Sequence, residues 1–484
     1  MHALKDLLYN TDCQLQQGSL AISIDKVCFD SRLVVPNTLF VAIVGTQSDG
    51  HAYIQTAIEN GATAIIAEIQ VDNVPAHVTY FLASNSAKAL GQIAATWYGN
   101  PSQKLKIVGI TGTNGKTTVA TLLFKLFRNL GYSVGLISTV RNQINDEIFA
   151  TQFTTPDALT LQALLAEMLK KGCSHVFMEV SSHALVQERC AGLVFSGAVF
   201  MNITHDHLDF HGTFDNYIKA KKKLFDELTP SAFALVNVDD KRGRVMLQNC
   251  LAYKQKTFAL QSLADFKGRI LENTLQGLLL DIQQQEVWFR LIGNFNAYNL
   301  LCVYGTALLL GEQASTVLTE LSGITGAEGR FEQIRSNSGI TAVVDYAHTP
   351  DALKNVLETI EQLATEGQKI ITLVGCGGDR DKTKRPIMAR IACEFSHIAI
   401  LTSDNPRTES PAQILDDMFE GVGILARKKA KRIEDRREAI AYACSIAQPN
   451  DIILVAGKGH ETYQEVNGIR YPFDDKEVLK GFLK

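Results

Sequence analysis

The 484-residue sequence has no uninterrupted apolar run near the roughly 18 residues that a membrane-spanning helix needs, and its start, MHALKDLLYNTDCQ, has no long apolar signal core. It also lacks an excess of positive charge. The 47 Lys plus Arg stand against 51 Asp plus Glu, a net charge of -4, which excludes a global basic surface for nucleic acid or anionic membrane. No CxxC pair occurs among the nine cysteines scattered from Cys13 to Cys444, so neither a zinc ribbon nor a disulfide framework is indicated. Their odd number fits a reducing compartment, and the expected location is the cytoplasm. Proline and glycine, 11 and 35 residues, are too few for a disordered or collagen-like chain. What remains is a globular composition, 46% hydrophobic and 20% charged, in a chain too long for a single core. A monomer is the default expectation.

Apolar runs divide the chain into three α/β units, expected at residues 1–98, 99–332 and 333–484. The first holds TLFVAIVG at 38–45, TAIIAE at 63–68 and a helical stretch from Ser86 to Tyr98 before the turn Gly99-Asn100-Pro101. The second opens on KIVGI at 106–110, continues through a glycine-rich turn into a helical pattern, and returns as VGLIST at 134–139, the β-loop-α-β order of a nucleotide-binding domain. Further strands are expected at HVFMEV (175–180) and GAVFMNI (197–203). The third unit alternates ITAVVDY, KIITLVGCGG, HIAILTSDN and DIILVAGKG with helices, which predicts a mainly parallel, Rossmann-like sheet.

The glycine-rich turn is GITGTNGKTT, Gly109 to Thr118. Backbone N–H groups from Gly112 through Thr113, Asn114 and Gly115 to Lys116 can surround phosphate oxygens; Lys116 can offset β/γ charge and Thr117 can offer its hydroxyl to Mg²⁺, with Thr118 following in the helix. The strict Walker pattern fails at Ile110, which stands where its first glycine belongs. An ordinary glycine turn explains Gly112 and Gly115 but not the Lys116-Thr117 pair at the helix start. The expected ligand is ATP.

Two polar clusters follow apolar strands, MEVSSHALVQER at 178–189 and MNITHDHLDFHGTFDNYIKAKKKLF at 201–225. Glu179 suits a hard divalent cation and His207 can add an imidazole nitrogen. His205, Asp206, His207, Asp209 and His211 also admit a zinc reading, or simply a solvated loop. Of Lys219, Lys221, Lys222 and Lys223, spacing alone selects none; a basic run on a helix is ordinarily a solvated face.

The ordered motifs GTNGKTT, TTPD, EVSSH, NITHDHLDFHG, YIKAK, GNFNAYN, DYAHTPDAL, GCGGDRDKTKRP, SDNPRTE and GKGHE resemble the Mur ligase family along the whole chain, and most closely its branch that adds the third peptide residue to a UDP-N-acetylmuramoyl dipeptide. The resemblance implies a three-domain architecture with a central P-loop ATPase-like domain, and ATP-dependent amide formation through an acyl phosphate. Lys116, Glu179, His207 and Lys221 would be catalytic, and Thr117, Glu179, His207 and Lys221 would hold Mg²⁺, Lys221 as a carbamate. Asn294, Asn299, Arg330, Asp345 and His348 would complete the ATP site. Ser31, Thr154, Thr155, Ser181, Gln187 and Arg189 would hold UDP-N-acetylmuramoyl-L-alanyl-D-glutamate.

SDNPRTE, Ser403 to Glu409, carries the specificity reading. Arg407 can form a bidentate pair with a carboxylate, which meso-diaminopimelate has at its far end and lysine does not. Arg380, Asn405, Arg407, Gly457 and Glu461 match that pocket in the diaminopimelate-adding branch. L-lysine as acceptor, a folylpolyglutamate-type ligase and a non-enzymatic nucleotide-binding module stay open at this point.

Overall fold

The apolar runs become strands of three sheets, each covered on both faces. The computed structural model describes residues 1–45, 48–149, 153–204 and 206–483. The first sheet has five strands in the order Gln14–Gln17, Thr79–Leu82, Ala62–Ala67, Thr38–Val41 and Lys26–Cys28, antiparallel only at the first pairing. Successive side chains point to opposite faces, so Phe40 and Ile65 enter one buried cluster while Leu39 and Ile66 enter the other. The expected helix forms as Ser86–Trp97, started by Asn85, whose side chain accepts from Lys88 N.

The central sheet has eleven strands. Five run parallel around the phosphate loop, in the order Val134–Ile137, His175–Glu179, Lys106–Thr111, Gly197–Phe200 and Phe233–Asn237. The chain leaves Lys106–Thr111 to build neighbours on both of its sides, so this strand ends at a topological switch point, where a crevice opens at the carboxyl ends of the strands. Ile107 and Val108 point into separate cores below and above the sheet. The segment 266–289 extends this sheet as an antiparallel meander.

The third sheet runs Glu332–Arg335, Thr341–Asp345, Ile452–Ala456, Ile370–Val374, Ile398–Leu401 and Ala430–Arg432, parallel after its antiparallel first pair. Its apolar strands are buried on both faces, as continuous Val/Ile/Leu runs require.

The helix Ser86–Trp97 meets the central unit where no side chain fits. A Cβ on Gly91 would stand 2.6 Å from Ala191 O, and one on Gly192 would stand 2.6 Å from Gly91 O. Among the described residues no helix is long and apolar enough to cross a membrane.

Candidate functional site

The phosphate loop hangs between Lys106–Thr111 and the helix Lys116–Asn129. Gly115 precedes the helix at φ +89°, a left-handed turn that costs glycine little, and a Cβ there would stand 2.7 Å from Asn299 Oδ1. The helix that follows buries Val119, Leu122, Leu123, Leu126 and Phe127, which fixes its N-terminus at the crevice. Two amines converge on one acceptor: Lys116 Nζ donates to Gly112 O at 2.8 Å and to Thr113 O at 2.9 Å, and Lys221 Nζ donates to Gly112 O at 2.8 Å.

Lys221 reaches this position because of helical spacing. In the helix Phe214–Asp226 it lies four residues after Tyr217 on the buried face, with only 1% of its surface exposed, whereas Lys219 faces solvent and Lys222 and Lys223 pair with Asp226 and with Glu188 and Glu227. Burial first, and the Lys116 charge second, push the Lys221 amine well below its ordinary range, and burial likewise lowers Lys116. Two ammonium groups sharing one carbonyl lie no more than about 6 Å apart, and at an effective dielectric near 20 their repulsion is about 3 kcal/mol. A neutral Lys221 amine relieves it.

Glu179, at the end of His175–Glu179, is fully buried; its carboxylate accepts from Thr139 N at 2.8 Å and Thr139 Oγ1 at 3.2 Å. His207 ends the next strand's loop with φ +54° and lies edge-on to the Tyr217 ring at 6.1 Å, while Lys221 Nζ lies over that same ring at 4.6 Å. Among the described residues no three of His, Cys, Asp and Glu gather to hold a metal ion, so the zinc reading finds no ligand set there; His205 and the Asp209 side chain lie outside the described residues. The Thr117 hydroxyl, the Glu179 carboxylate and an imidazole are donor types that suit Mg²⁺. A Lys221 ammonium would repel such an ion.

Five of the six residues expected around the UDP-dipeptide, Thr154, Thr155, Ser181, Gln187 and Arg189, form one contiguous network. Thr139 Oγ1 and Thr154 Oγ1 share a hydrogen bond at 3.0 Å, Thr155 Oγ1 donates to Glu179 O at 2.9 Å, and Ser181 N donates to Thr155 Oγ1 at 3.3 Å. Arg189 reaches Thr155 O at 2.7 Å and Gln187 Oε1 at 2.8 Å. Ser31 stands apart from this network in the first unit, at the start of the short helix Ser31–Leu33.

At the boundary with the third unit, Arg330 Nη2 donates to Thr117 Oγ1 at 3.1 Å and its guanidinium stacks on Tyr346 at 4.5 Å. Asp345 is spent on backbone: it accepts from Phe331 N at 2.6 Å and Ala347 N at 2.8 Å, which fixes the turn carrying Arg330. His348 is exposed beside Tyr346 O. Of the two asparagines on Asn294–Leu310, Asn299 faces Gly115, while Asn294 donates to Gln362 at 3.2 Å at the junction with the third unit. Asn405 Nδ2 donates to Glu461 Oε2 at 2.7 Å, Gly457 lies against the Asp404 carboxylate, and Arg407 Nη1 donates to Gly378 O at 2.8 Å beside the Arg380 loop, so Arg380, Asn405, Arg407, Gly457 and Glu461 all follow adjacent parallel strands. Burial pushes the Glu461 carboxyl up.

Sequence reading passed over Asn202 and Asp351. Asn202 Oδ1 accepts from Asn114 N at 2.9 Å and its Nδ2 donates to Asn114 O at 3.1 Å, holding the loop tip by both backbone groups. Its signal was its place at the head of the motif NITHDHLDFHG.

Family models match the chain along three segments, a Mur ligase family catalytic domain over residues 23–98, a Mur ligase middle domain over 110–307 and a Mur ligase glutamate ligase domain over 329–459. A UDP-N-acetylmuramoyl-L-alanyl-D-glutamate--2,6-diaminopimelate ligase of Cytophaga hutchinsonii is 56% identical over 481 residues, 99% of each chain. The chain belongs to the Mur ligase family. A ligase of the same name from Listeria innocua is 42% identical over 483 residues, covering 98% of this chain and 97% of that one. A solved structure of a ligase with this name superposes with a TM-score of 0.71 at 33% identity, over 99% of this Mur ligase and 98% of the other chain. The MurF ligase of Thermotoga maritima in complex with ADP shares the fold, with a TM-score of 0.63 at 19% identity over 95% and 96% of the two chains. As a Mur ligase, the protein is an ATP-dependent enzyme that joins an acid to an amino acid.

Proposed function

We propose that this Mur ligase joins meso-2,6-diaminopimelate to the D-glutamyl carboxylate of UDP-N-acetylmuramoyl-L-alanyl-D-glutamate, with ATP converted to ADP and phosphate. The observation that carries the choice of acceptor is the pair of arginines, Arg380 and Arg407, on neighbouring loops beside the Asn405–Glu461 hydrogen bond. Arginines there suit a far carboxylate, and Glu461 suits an ammonium. Lysine would leave the arginines unpaired, which disfavours it as acceptor, and the full-length relatives of the same name support the same reading.

The glutamyl carboxylate is a poor acyl donor, so its oxygen attacks the γ-phosphorus of ATP; the bond to the β–γ bridging oxygen breaks and ADP leaves. Lys116 offsets the charge spread over the transferred group, and the N–H groups of the phosphate loop orient it. The acceptor amine then attacks the acyl carbon, the bond to phosphate oxygen breaks, and the amine proton passes to the departing phosphate or to solvent. Thr117, Glu179, His207 and a carbamylated Lys221 would hold Mg²⁺, which supplies positive charge at the phosphates when bound. Lys221 is suited to carbamylation because its buried, neutral amine can add CO₂, forming an N–C bond and releasing one proton. Asn294, Asn299, Arg330, Asp345 and His348 would shape the ATP site; Ser31 would meet the uridine end, and Thr154, Thr155, Ser181, Gln187 and Arg189 the peptide end.

The division of labour follows the sheets: residues 1–98 for the UDP end, 99–332 for ATP, 333–484 for the acceptor. The cytoplasm is the compartment that fits nine free cysteines. A product-mass assay with ATP, Mg²⁺ and the UDP-dipeptide tests the reading. Product with meso-diaminopimelate is expected; product with L-lysine alone refutes the acceptor, and no product with either amine refutes the ligase reading.

A further inference from the structure

Arg385, the second residue of the helix Lys384–Phe395, has none of its side chain exposed. Its guanidinium forks onto Glu409, Nη1 to Oε2 at 3.0 Å and Nη2 to Oε1 at 2.8 Å, and also donates to Asp417 Oδ2 at 2.7 Å and to Gly377 O at 3.4 Å. Glu409 lies two residues after Arg407, and Gly377 three before Arg380. One buried side chain therefore touches both loops that carry the acceptor-side arginines.

The seam between those loops is continuous. Glu409 Oε1 also accepts from Asp379 N at 2.6 Å, the Asp379 carboxylate accepts from Thr408 Oγ1 at 2.7 Å, and Gly378 N donates to Asn405 O at 2.9 Å. A Cβ on Gly378 would stand 1.9 Å from Pro406 O, so the two backbones are in contact. Arg385 also takes up Glu409 and Asp417, the carboxylates within its reach. Among the described residues neither Arg380 nor Arg407 forms an ion pair; each guanidinium donates to a loop carbonyl, Arg380 to Asp379 O at 3.2 Å and Arg407 to Gly378 O at 2.8 Å.

We propose that Arg385, acting through Glu409, is a positioning residue for acceptor recognition: it sets the spacing of Arg380 and Arg407 and keeps their charges available for a ligand carboxylate. This rests on the acceptor reading given above. A fork of two parallel hydrogen bonds fixes distance and angle together, which a lysine ammonium does not do, and displacement of about 1 Å in a binding group is enough to cost a large factor in productive geometry.

The test uses the full-length enzyme and the variants Glu409→Gln, Arg385→Lys and Asp417→Asn, with kcat, the KM of each of the three substrates and the melting temperature measured for each. Expected are a rise of about tenfold or more in the KM for meso-diaminopimelate in Glu409→Gln and Arg385→Lys, and changes under about twofold in the KM for ATP and for the UDP-dipeptide. Asp417→Asn, which leaves the Glu409 fork in place, is expected to shift melting without moving the acceptor KM. An acceptor KM within about twofold of wild type in both fork variants overturns the proposal, as does an equal rise of all three KM values. The wild type judges the acceptor reading separately: if it ligates only lysine, that reading falls, and the fork variants must then raise the KM for lysine or the positioning role falls too.

Discussion

Asp351, the second residue of the helix Pro350–Leu363, accepts a hydrogen bond from Asn114 Nδ2 at 3.0 Å, so the glutamate ligase domain touches the tip of the phosphate loop directly. The same Asp351 oxygen accepts from Thr204 Oγ1 at 2.9 Å. Three segments far apart in sequence therefore meet at one carboxylate. Asn114→Ala and Asp351→Ala are each expected to lower kcat/KM for ATP about tenfold, and the double variant to lose no more than the worse single one, because both remove the same contact. A double variant whose loss equals the product of the two would show that the residues act independently.

Lys221 separates activity from stability. A buried amine is costly to the fold, while its hydrogen bond to Gly112 O contributes about 1 kcal/mol. Lys221→Met is expected to melt at or above the wild-type temperature while kcat falls by about a hundredfold or more. Bicarbonate enriched in the heavy carbon isotope should give a carbamate NMR signal in the wild type that the variant lacks. A Lys221→Met enzyme of normal turnover would remove the side chain from the reaction altogether.

His175 gives a pH dependence of known sign. Burial lowers its imidazole to about 4, and among the described residues its Nε2 has no hydrogen-bond partner where it packs against Phe127, Tyr132 and Phe177. The unfolded chain, with the ordinary value near 6.5, binds the proton first, so stability falls as pH drops from about 6.5 towards 4 and is fully present above that window. His175→Phe should remove up to about 3 kcal/mol of this acid sensitivity at a cost under about 1.5 kcal/mol at neutral pH. Parallel unfolding curves for wild type and variant across pH 7 to 4 would contradict it.

The phosphate loop was legible because its chemistry is local: glycines, lysine and threonine at fixed spacing between a strand and a helix. The strands of the three sheets were legible for the same reason, since continuous apolar runs are a property of neighbouring residues. Spacing could not select Lys221 from its basic run; resemblance chose it, and burial beside Tyr217 explains the choice. Asn202 and Asp351 stand in the motifs NITHDHLDFHG and DYAHTPDAL, but their roles were not legible, because their bonds to Asn114 span 88 and 237 residues and no periodicity links such partners. Arg385 was hidden differently. It stands in the motif GCGGDRDKTKRP, but nothing in one sequence distinguishes an arginine buried on two carboxylates from one in solvent.

The glycine contact between Gly91 and Ala191-Gly192 has a consequence for substrate length. With backbone pressed on backbone at that point, the first unit cannot slide past the central one there without opening the contact. Under the proposed function, this contact would help to hold constant the span from Ser31 to Glu179. A precursor one residue short or long would seat its uridine correctly and still present its carboxylate away from the phosphates, so the enzyme would measure its substrate as well as recognise it.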